Sequence, residues 1–200
     1  MIMSKDWDKA YSDNQTPWDK GAASPALEEW LHREEGVLLG KGLVLGCGLG
    51  HDVRLLAKHS KEVEGIDFSK TAISKARTFA LLGSESYLCC DYFEDNELLV
   101  QRYDWAFEHT FFCAIPEARR SDYVKRLIEL LKPQAFFLAI FFIHDEGCFK
   151  NSEGPPFKIK RETIDTYFSE HFDLIDAYTP KEHYASRPYG SEYLCLMQRK

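Results

Sequence analysis

The run Val44-Leu45-Gly46-Cys47-Gly48-Leu49-Gly50-His51-Asp52, followed by Ile66-Asp67-Phe68-Ser69, constrains the fold of this chain more than any other feature. An apolar stretch ends in alternating glycines, and helix-forming residues follow them. A second apolar stretch ends in an acid 17 positions past Gly50. This is the layout of a Rossmann-type β-turn-α unit. The first glycine permits the tight turn, and the second lets a ligand approach the backbone with no Cβ in the way. The acid at the strand tip can accept hydrogen bonds from ribose hydroxyls. The alternative is an ordinary β-turn-α corner that binds nothing.

The spacing also separates cofactors. A dinucleotide site prefers G-x-G-x-x-G, whereas here His51 takes the sixth position and the glycines read G-x-G-x-G. That form suits S-adenosylmethionine, which has no pyrophosphate to seat on the helix. An NAD-dependent oxidoreductase is the rival, and the lack of a Tyr-x-x-x-Lys-type pair counts against it. A non-catalytic protein that binds S-adenosylmethionine is a second rival.

Two hundred residues, 44% of them hydrophobic, are enough for a single globular domain with a good-sized core. A net charge of −7 with scattered Lys and Arg argues against a nucleic-acid surface. No apolar run of about 18 residues is present, so no membrane partner is expected, and the first residues lack a signal-peptide apolar region. The six cysteines form no CxxC pair or Cys/His cluster, so no metal site is expected. Cysteines inside apolar runs fit a reduced, cytoplasmic chain, and we expect a monomer.

Residues 1–23 are polar, without core-type periodicity, yet carry Trp7, Tyr11 and Trp18. We read them as an N-terminal aromatic flap over the cofactor, ahead of one domain at 24–200. Ser24-Pro25 starts a helix that Gly36 would stop. The chain then alternates. Strands are expected at Leu43–Leu45, Val63–Ile66, Ser86–Cys90, Tyr103–Phe107, Phe136–Ile143, Phe172–Tyr178 and Tyr193–Met197. Helices are expected from Asp52 to Ser60, from Ser69 to Gly83, from Glu94 to Gln101, from Pro116 to Lys132-Pro133, and from Thr163 to Ser169. The fold class is α/β: a Rossmann-like seven-stranded, mostly parallel sheet with helices on both faces.

Ligand residues in such folds lie at the carboxyl ends of strands. Asp67 is the ribose candidate. Asp91-Tyr92-Phe93 closes the third strand, where Asp91 could accept from an adenine amino group and an aromatic neighbour could stack. A sulfonium cation is attracted to aromatic faces, which gives Trp7, Tyr11 and Trp18 a use beyond docking the arm. Glu108-His109 ends the fourth strand, where a transferred methyl would meet its acceptor. His109 could orient that acceptor or take its proton. Cys113 has no identifiable partner base and reads as core.

Together these residues resemble the thiopurine S-methyltransferase superfamily, and within it the thiol and halide methyltransferase branch. The resemblance spans nearly the whole chain. It rests on Trp7 with Tyr11, on Thr16-Pro17-Trp18-Asp19-Lys20-Gly21, on the glycine loop, on Phe111-Phe112-Cys113-Ala114-Ile115, on Leu130-Leu131-Lys132-Pro133 and on Gly154-Pro155-Pro156-Phe157. It implies a seven-stranded methyltransferase fold, S-adenosylmethionine as donor with S-adenosylhomocysteine as product, and a small soft nucleophile (a thiol, a thiopurine-like compound or a halide) as acceptor. His109 stands where the thiopurine branch has arginine and the plant-type branch tyrosine. The cofactor set is then Trp7, Tyr11, Trp18, Gly46, Cys47, Gly48, Gly50, Asp67, Phe68, Asp91, Tyr92, Phe93, Glu108 and His109. The acceptor set is Trp18, Phe111, Phe112, Arg187 and Tyr189, with His109 as the catalytic candidate.

Overall fold

The computed structural model describes residues 6–33, 38–143 and 154–200. Seven strands form one sheet: β1 (Lys41–Leu45), β2 (Glu62–Asp67), β3 (Glu85–Cys89), β4 (Tyr103–His109), β5 (Leu131–Phe142), β6 (Phe172–Tyr178) and β7 (Glu192–Arg199), in the order β3-β2-β1-β4-β5-β7-β6. The five strands β1 to β5 run parallel, and β7 joins antiparallel to both β5 and β6. Strand order reverses between β1 and β4, which places the crevice for a ligand at the carboxyl end of β1.

Six helices cover both faces: α1 (Trp7–Ser12), α2 (Pro25–Arg33), α3 (His51–Ala57), α4 (Lys70–Ala76), α5 (Arg120–Leu130) and α6 (Arg161–Phe168). The period of two along β1 sorts its side chains. Leu43 and Leu45 join a buried cluster with Tyr123 and Leu127 of α5 and Phe168 of α6. Val44 joins the opposite cluster, with Leu27 and Trp30 of α2, Val53 of α3 and Ile73 of α4.

The largest differences from the expected elements are four. The arm before Ser24 contains α1, a helix too short to show periodicity. Asp6 caps it by accepting from Lys9 N at 2.9 Å, and docking of Ala10 and Tyr11 buries its inner face. Ser69 caps α4 as expected, accepting from Ala72 N at 3.0 Å. The helix nevertheless ends at Ala76, and Glu85 ties the following loop by accepting from Leu82 N and Gly83 N at 2.6 and 2.7 Å. The helix expected over Glu94–Gln101 is only a 3-10 turn at Glu97–Leu99. Finally, β5 begins at Leu131, so Lys132-Pro133 opens a strand rather than closing a helix. Its ladder with β4 shifts register between Tyr103 and Trp105, where Pro133 has no ladder bond to donate. Pro25 opens α2 as expected, whereas Gly36, its expected stop, lies outside the described residues.

Candidate active site

The glycine loop turns off the end of β1. Gly46, Gly48 and Gly50 all have positive φ, at 55°, 52° and 72°. Space is a second reason for glycine there. A Cβ on Gly46 would lie 2.6 Å from the Phe111 ring, one on Gly48 2.5 Å from Tyr11 Oη, and one on Gly50 2.5 Å from the Tyr87 ring. Cys47 N donates to Ile66 O at 2.9 Å, tying the loop to β2. Cys47 has its thiol held above the usual range, mainly by burial, so it is packing rather than a nucleophile.

Asp67 holds the other side. Its Oδ2 accepts from Gly48 N and its Oδ1 from Ser69 N, each at 2.9 Å. Burial raises its pKa, and those two backbone bonds act against the rise. Each carboxylate oxygen keeps a further lone pair for a hydroxyl.

Residues 6–24 lie across this end of the sheet. Asp8 Oδ1 accepts from Ser69 Oγ at 2.7 Å and from Thr71 N at 2.8 Å. Lys75 Nζ donates to Tyr11 O and to Asn14 Oδ1 at 2.6 and 2.8 Å. His51, standing where a dinucleotide loop has its third glycine, reaches back to the arm. Its Nε2 lies 3.2 Å from Asp19 Oδ1, and this contact holds the Asp19 carboxyl below its usual range. The three aromatics of the arm meet. The Trp18 ring lies edge-on to Trp7 at 4.9 Å and to Tyr11 at 5.8 Å, and its indole N–H donates to Tyr11 Oη at 3.1 Å.

At the end of β4, His109 sits between carboxylates from two different elements. Its Nδ1 lies 3.3 Å from Asp52 Oδ2 in the first turn of α3, and its Nε2 lies 3.0 Å from Glu192 Oε1 at the start of β7. Asp52 also accepts from Ser24 N at 2.7 Å, joining this cluster to the base of the arm. Arg187 pairs with Glu192, and its Nη1 lies 2.8 Å from His109 Nε2. The Tyr184 ring stacks on the imidazole at 6.0 Å and 12°, while its hydroxyl donates to Ala22 O at 2.8 Å. Burial by itself lowers the His109 pKa, but the hydrogen bonds to Asp52 and Glu192 outweigh it and hold the ring up to about 9. At Glu192 the contacts with His109 and Arg187 outweigh burial and keep that carboxyl below its usual range. With a carboxylate against each ring nitrogen, a ring that carries both protons would have no lone pair to serve as a base.

Of the other expected site residues, some turn into the core and others stand near the surface. Tyr92 is buried in the core, where its hydroxyl donates to Tyr123 O at 2.6 Å. It is therefore not free to stack on a ligand. Phe93 packs under the Arg119 guanidinium, 3.8 Å from the ring centroid. Asp91 is exposed and accepts from Phe93 N at 2.9 Å. Phe68 is 47% exposed beside the Asp67 turn. Glu108 turns inward, and its Oε2 accepts from Phe111 N and Phe112 N at 2.8 and 2.9 Å. Burial raises its carboxyl to about 7, and it organises the β4 exit loop instead of meeting the cofactor. Phe112 is fully buried among Tyr123, Phe141 and Phe168 and cannot line an acceptor pocket. Phe111 is half-buried over Gly46. Tyr189 is 66% exposed, with its ring 6.0 Å from His183. Asp52, Tyr184 and Glu192 were not foreseen. Only Asp52 carried a signal, its place directly after the glycine loop.

The donor set fits S-adenosylmethionine. An acid stands at the tip of β2, three positive-φ glycines form the loop, and the aromatic cluster of Trp7, Tyr11 and Trp18 stands beside it. Strand order and site together define the fold of the S-adenosylmethionine-dependent methyltransferases. The structure superimposes on 1,6-didemethyltoxoflavin-N1-methyltransferase of Burkholderia thailandensis, solved with S-adenosylhomocysteine, at a TM-score of 0.73. That match has 19% identity and covers 100% of this chain and 87% of that one. It also superimposes on a structure concerned with conversion of a disulfide bond into a thioacetal group during echinomycin biosynthesis. There the TM-score is 0.78 with 22% identity, over 99% of this chain and 93% of that one.

Within that class, the thiopurine S-methyltransferase family model matches residues 2–190, and the chain belongs to this family. It is 34% identical to the probable thiol methyltransferase 2 of Arabidopsis thaliana, over 76% of this chain and 66% of that protein. It is 33% identical to thiocyanate methyltransferase 1 of Brassica oleracea, over 80% of this chain and 69% of that protein. It is 25% identical to the thiopurine S-methyltransferase of Vibrio atlanticus, over 82% and 80% of the two chains. The match thus spans about two thirds of the length of the two plant relatives.

Proposed function

We propose that this protein transfers the methyl group of S-adenosylmethionine to a small soft nucleophile, a thiol or a halide-like anion. The observation that carries the reading is the meeting of both ends of the site on one helix start. The glycine loop enters α3 at His51, and the next residue, Asp52, bonds the buried cationic cluster of His109 and Arg187. Asp67 and the glycine loop would hold the cofactor, which when bound would supply an electrophilic methyl on a cationic sulfur for transfer to the acceptor.

The chain's own residues bind, orient and exclude water. Closing the site strips water from a charged acceptor, and positioning supplies much of the rest. A thiolate or halide needs little help from a base, in keeping with the two-sided occupation of His109. Trp7, Tyr11 and Trp18 make residues 1–23 a flap over the cofactor, with Asp8, Asp19 and Lys75 as its fastenings. The plant relatives named for thiols and thiocyanate support the acceptor class. The free state of all five described cysteines supports a cytoplasmic location. We assign a monomer that does not engage nucleic acid, in keeping with the net charge of −7.

The test is formation of S-adenosylhomocysteine with iodide, thiocyanate, hydrosulfide, small thiols and a thiopurine, beside a catechol, a protein and DNA. Turnover on soft small molecules alone is expected. Turnover on protein or DNA, or cofactor binding without turnover on any acceptor, would overturn the reading.

A further inference from the structure

Asp52 closes the glycine-loop run and Glu192 belongs to no expected motif, yet each turns a carboxylate to the same imidazole. They arrive from opposite sides, 57 residues before His109 and 83 after it. Glu192 is 2% exposed, and its Oε2 has no hydrogen-bond partner among the described residues. Such a group is costly unless positive charge stands beside it. The groups that face His109 are Asp52 from α3, Glu192 from β7, Arg187 and Tyr184 from the β6–β7 loop, and the neighbouring Glu108.

Two arrangements compete. A neutral ring could donate from Nδ1 to Asp52 and accept from Arg187 at Nε2. That leaves Nε2 and Glu192 Oε1, 3.0 Å apart, as two facing acceptors. It also leaves Asp52, Glu192 and Arg187 with a net charge of −1 in the buried cluster. A doubly protonated ring donates to both carboxylates, sets the sum of Asp52, Glu192, His109 and Arg187 at zero, and presents a cation to the Tyr184 face. Its costs are the desolvation of the charged ring and the close approach of Nε2 to Arg187 Nη1, both of these donors pointing at Glu192 Oε1. Cancelling a net buried charge outweighs that contact.

We infer that Asp52 and Glu192 are positioning residues that occupy both ring nitrogens of His109 and hold it, beside Arg187, as a cation at neutral pH at the acceptor end. In this role they act through His109 and touch no reacting atom. The ring takes no proton from the acceptor; it supplies charge and orientation. The inference rests on the methyl-transfer reading for its consequence, but the occupation of the ring can be tested without it.

The experiment follows the histidine ring resonances of the full chain against pH, with His109→Asn identifying the signal. A midpoint near 9 is expected. Glu192→Gln and Asp52→Asn, both nearly isosteric, should each lower it by about 1–3 pH units. The same variants are then assayed with iodide, an acceptor with no proton to lose. The alkaline fall of kcat/KM should sit with the ring midpoint and move down with it in each variant. A merely structural role would lower thermal stability without moving that pH profile. If one variant does not fold, the other decides. A His109 midpoint at or below 6.5, or one that neither substitution moves, overturns the inference. Absence of turnover with every soft acceptor would instead overturn the methyl-transfer reading and leave the ring titration standing.

Discussion

The two ends of the site are built in different ways. At the cofactor end, the Gly46–Gly50 backbone makes the surface, and Asp67 binds that backbone through Gly48 N and Ser69 N. Its parts lie within one β-α-β unit. At the proposed acceptor end the contacts run between side chains. Asp52, His109, Tyr184, Arg187 and Glu192 come from four separate stretches and share out their charges. Backbone sites tolerate change in side-chain identity but not in torsion or space. Side-chain clusters tolerate small movements but not a change of charge. The first end therefore suits a fixed cofactor, and the second suits an acceptor that differs between relatives.

Asp67→Ala should show the largest effect. It removes an acceptor from two backbone donors and from the ribose, each such bond being worth about 1.5–3 kcal/mol. Affinity for S-adenosylhomocysteine, measured by calorimetry, should fall about tenfold or more while the His109 ring titration stays in place. Unchanged affinity would end the ribose assignment. Gly48→Ala comes next. Its φ of 52° and the approach to Tyr11 Oη at 2.5 Å make a Cβ costly, by about 1–3 kcal/mol. The loss should again appear in cofactor affinity.

Trp18→Ala tests whether the arm belongs to the cofactor end. Removing one aromatic face should cost about 0.5–2 kcal/mol of cofactor binding. Protection of residues 1–23 from proteolysis by added cofactor should weaken with it. Identical digestion with and without cofactor would make the arm a docking element only.

His109→Ala sharpens the contrast by a null difference. A fixed cation serves a small thiol and iodide alike, so the two losses in kcat/KM should agree within about twofold. A clearly greater loss on the thiol would restore the ring as a base. The smallest effect is on stability. The folded pKa of His109, about 9, lies above its ordinary 6.5. Its contribution is therefore whole below pH 6.5 and is lost as pH rises through about 9. Glu108, raised from 4.5 to about 7, costs stability over a lower window as it ionises. The difference in Tm between the unsubstituted chain and His109→Asn should thus shrink between pH 6.5 and 9. A constant difference would show that the ring does not titrate there.

What the chain alone determined is what short-range chemistry controls. Alternating glycines need positive φ whatever surrounds them, Ser69 caps the helix that follows it, and a charge-free run such as Phe136–Ile143 must be a strand buried on both faces. Seven strands, their parallel core and the place of Asp67 follow from such local rules. Tertiary structure decided what local patterns cannot carry. The α1 helix is too short to form by propensity and exists because Tyr11 docks on Gly48. Pro133 sits in a strand because the ladder shifts where it lies. Glu108 and Tyr92 stood at the right strand ends but turned inward, since side-chain direction depends on which neighbours can satisfy them. His109 was visible as one histidine at a strand tip. Its surroundings were not, because they depend on carboxylates 57 and 83 residues away, which only the assembled sheet brings to its two nitrogens.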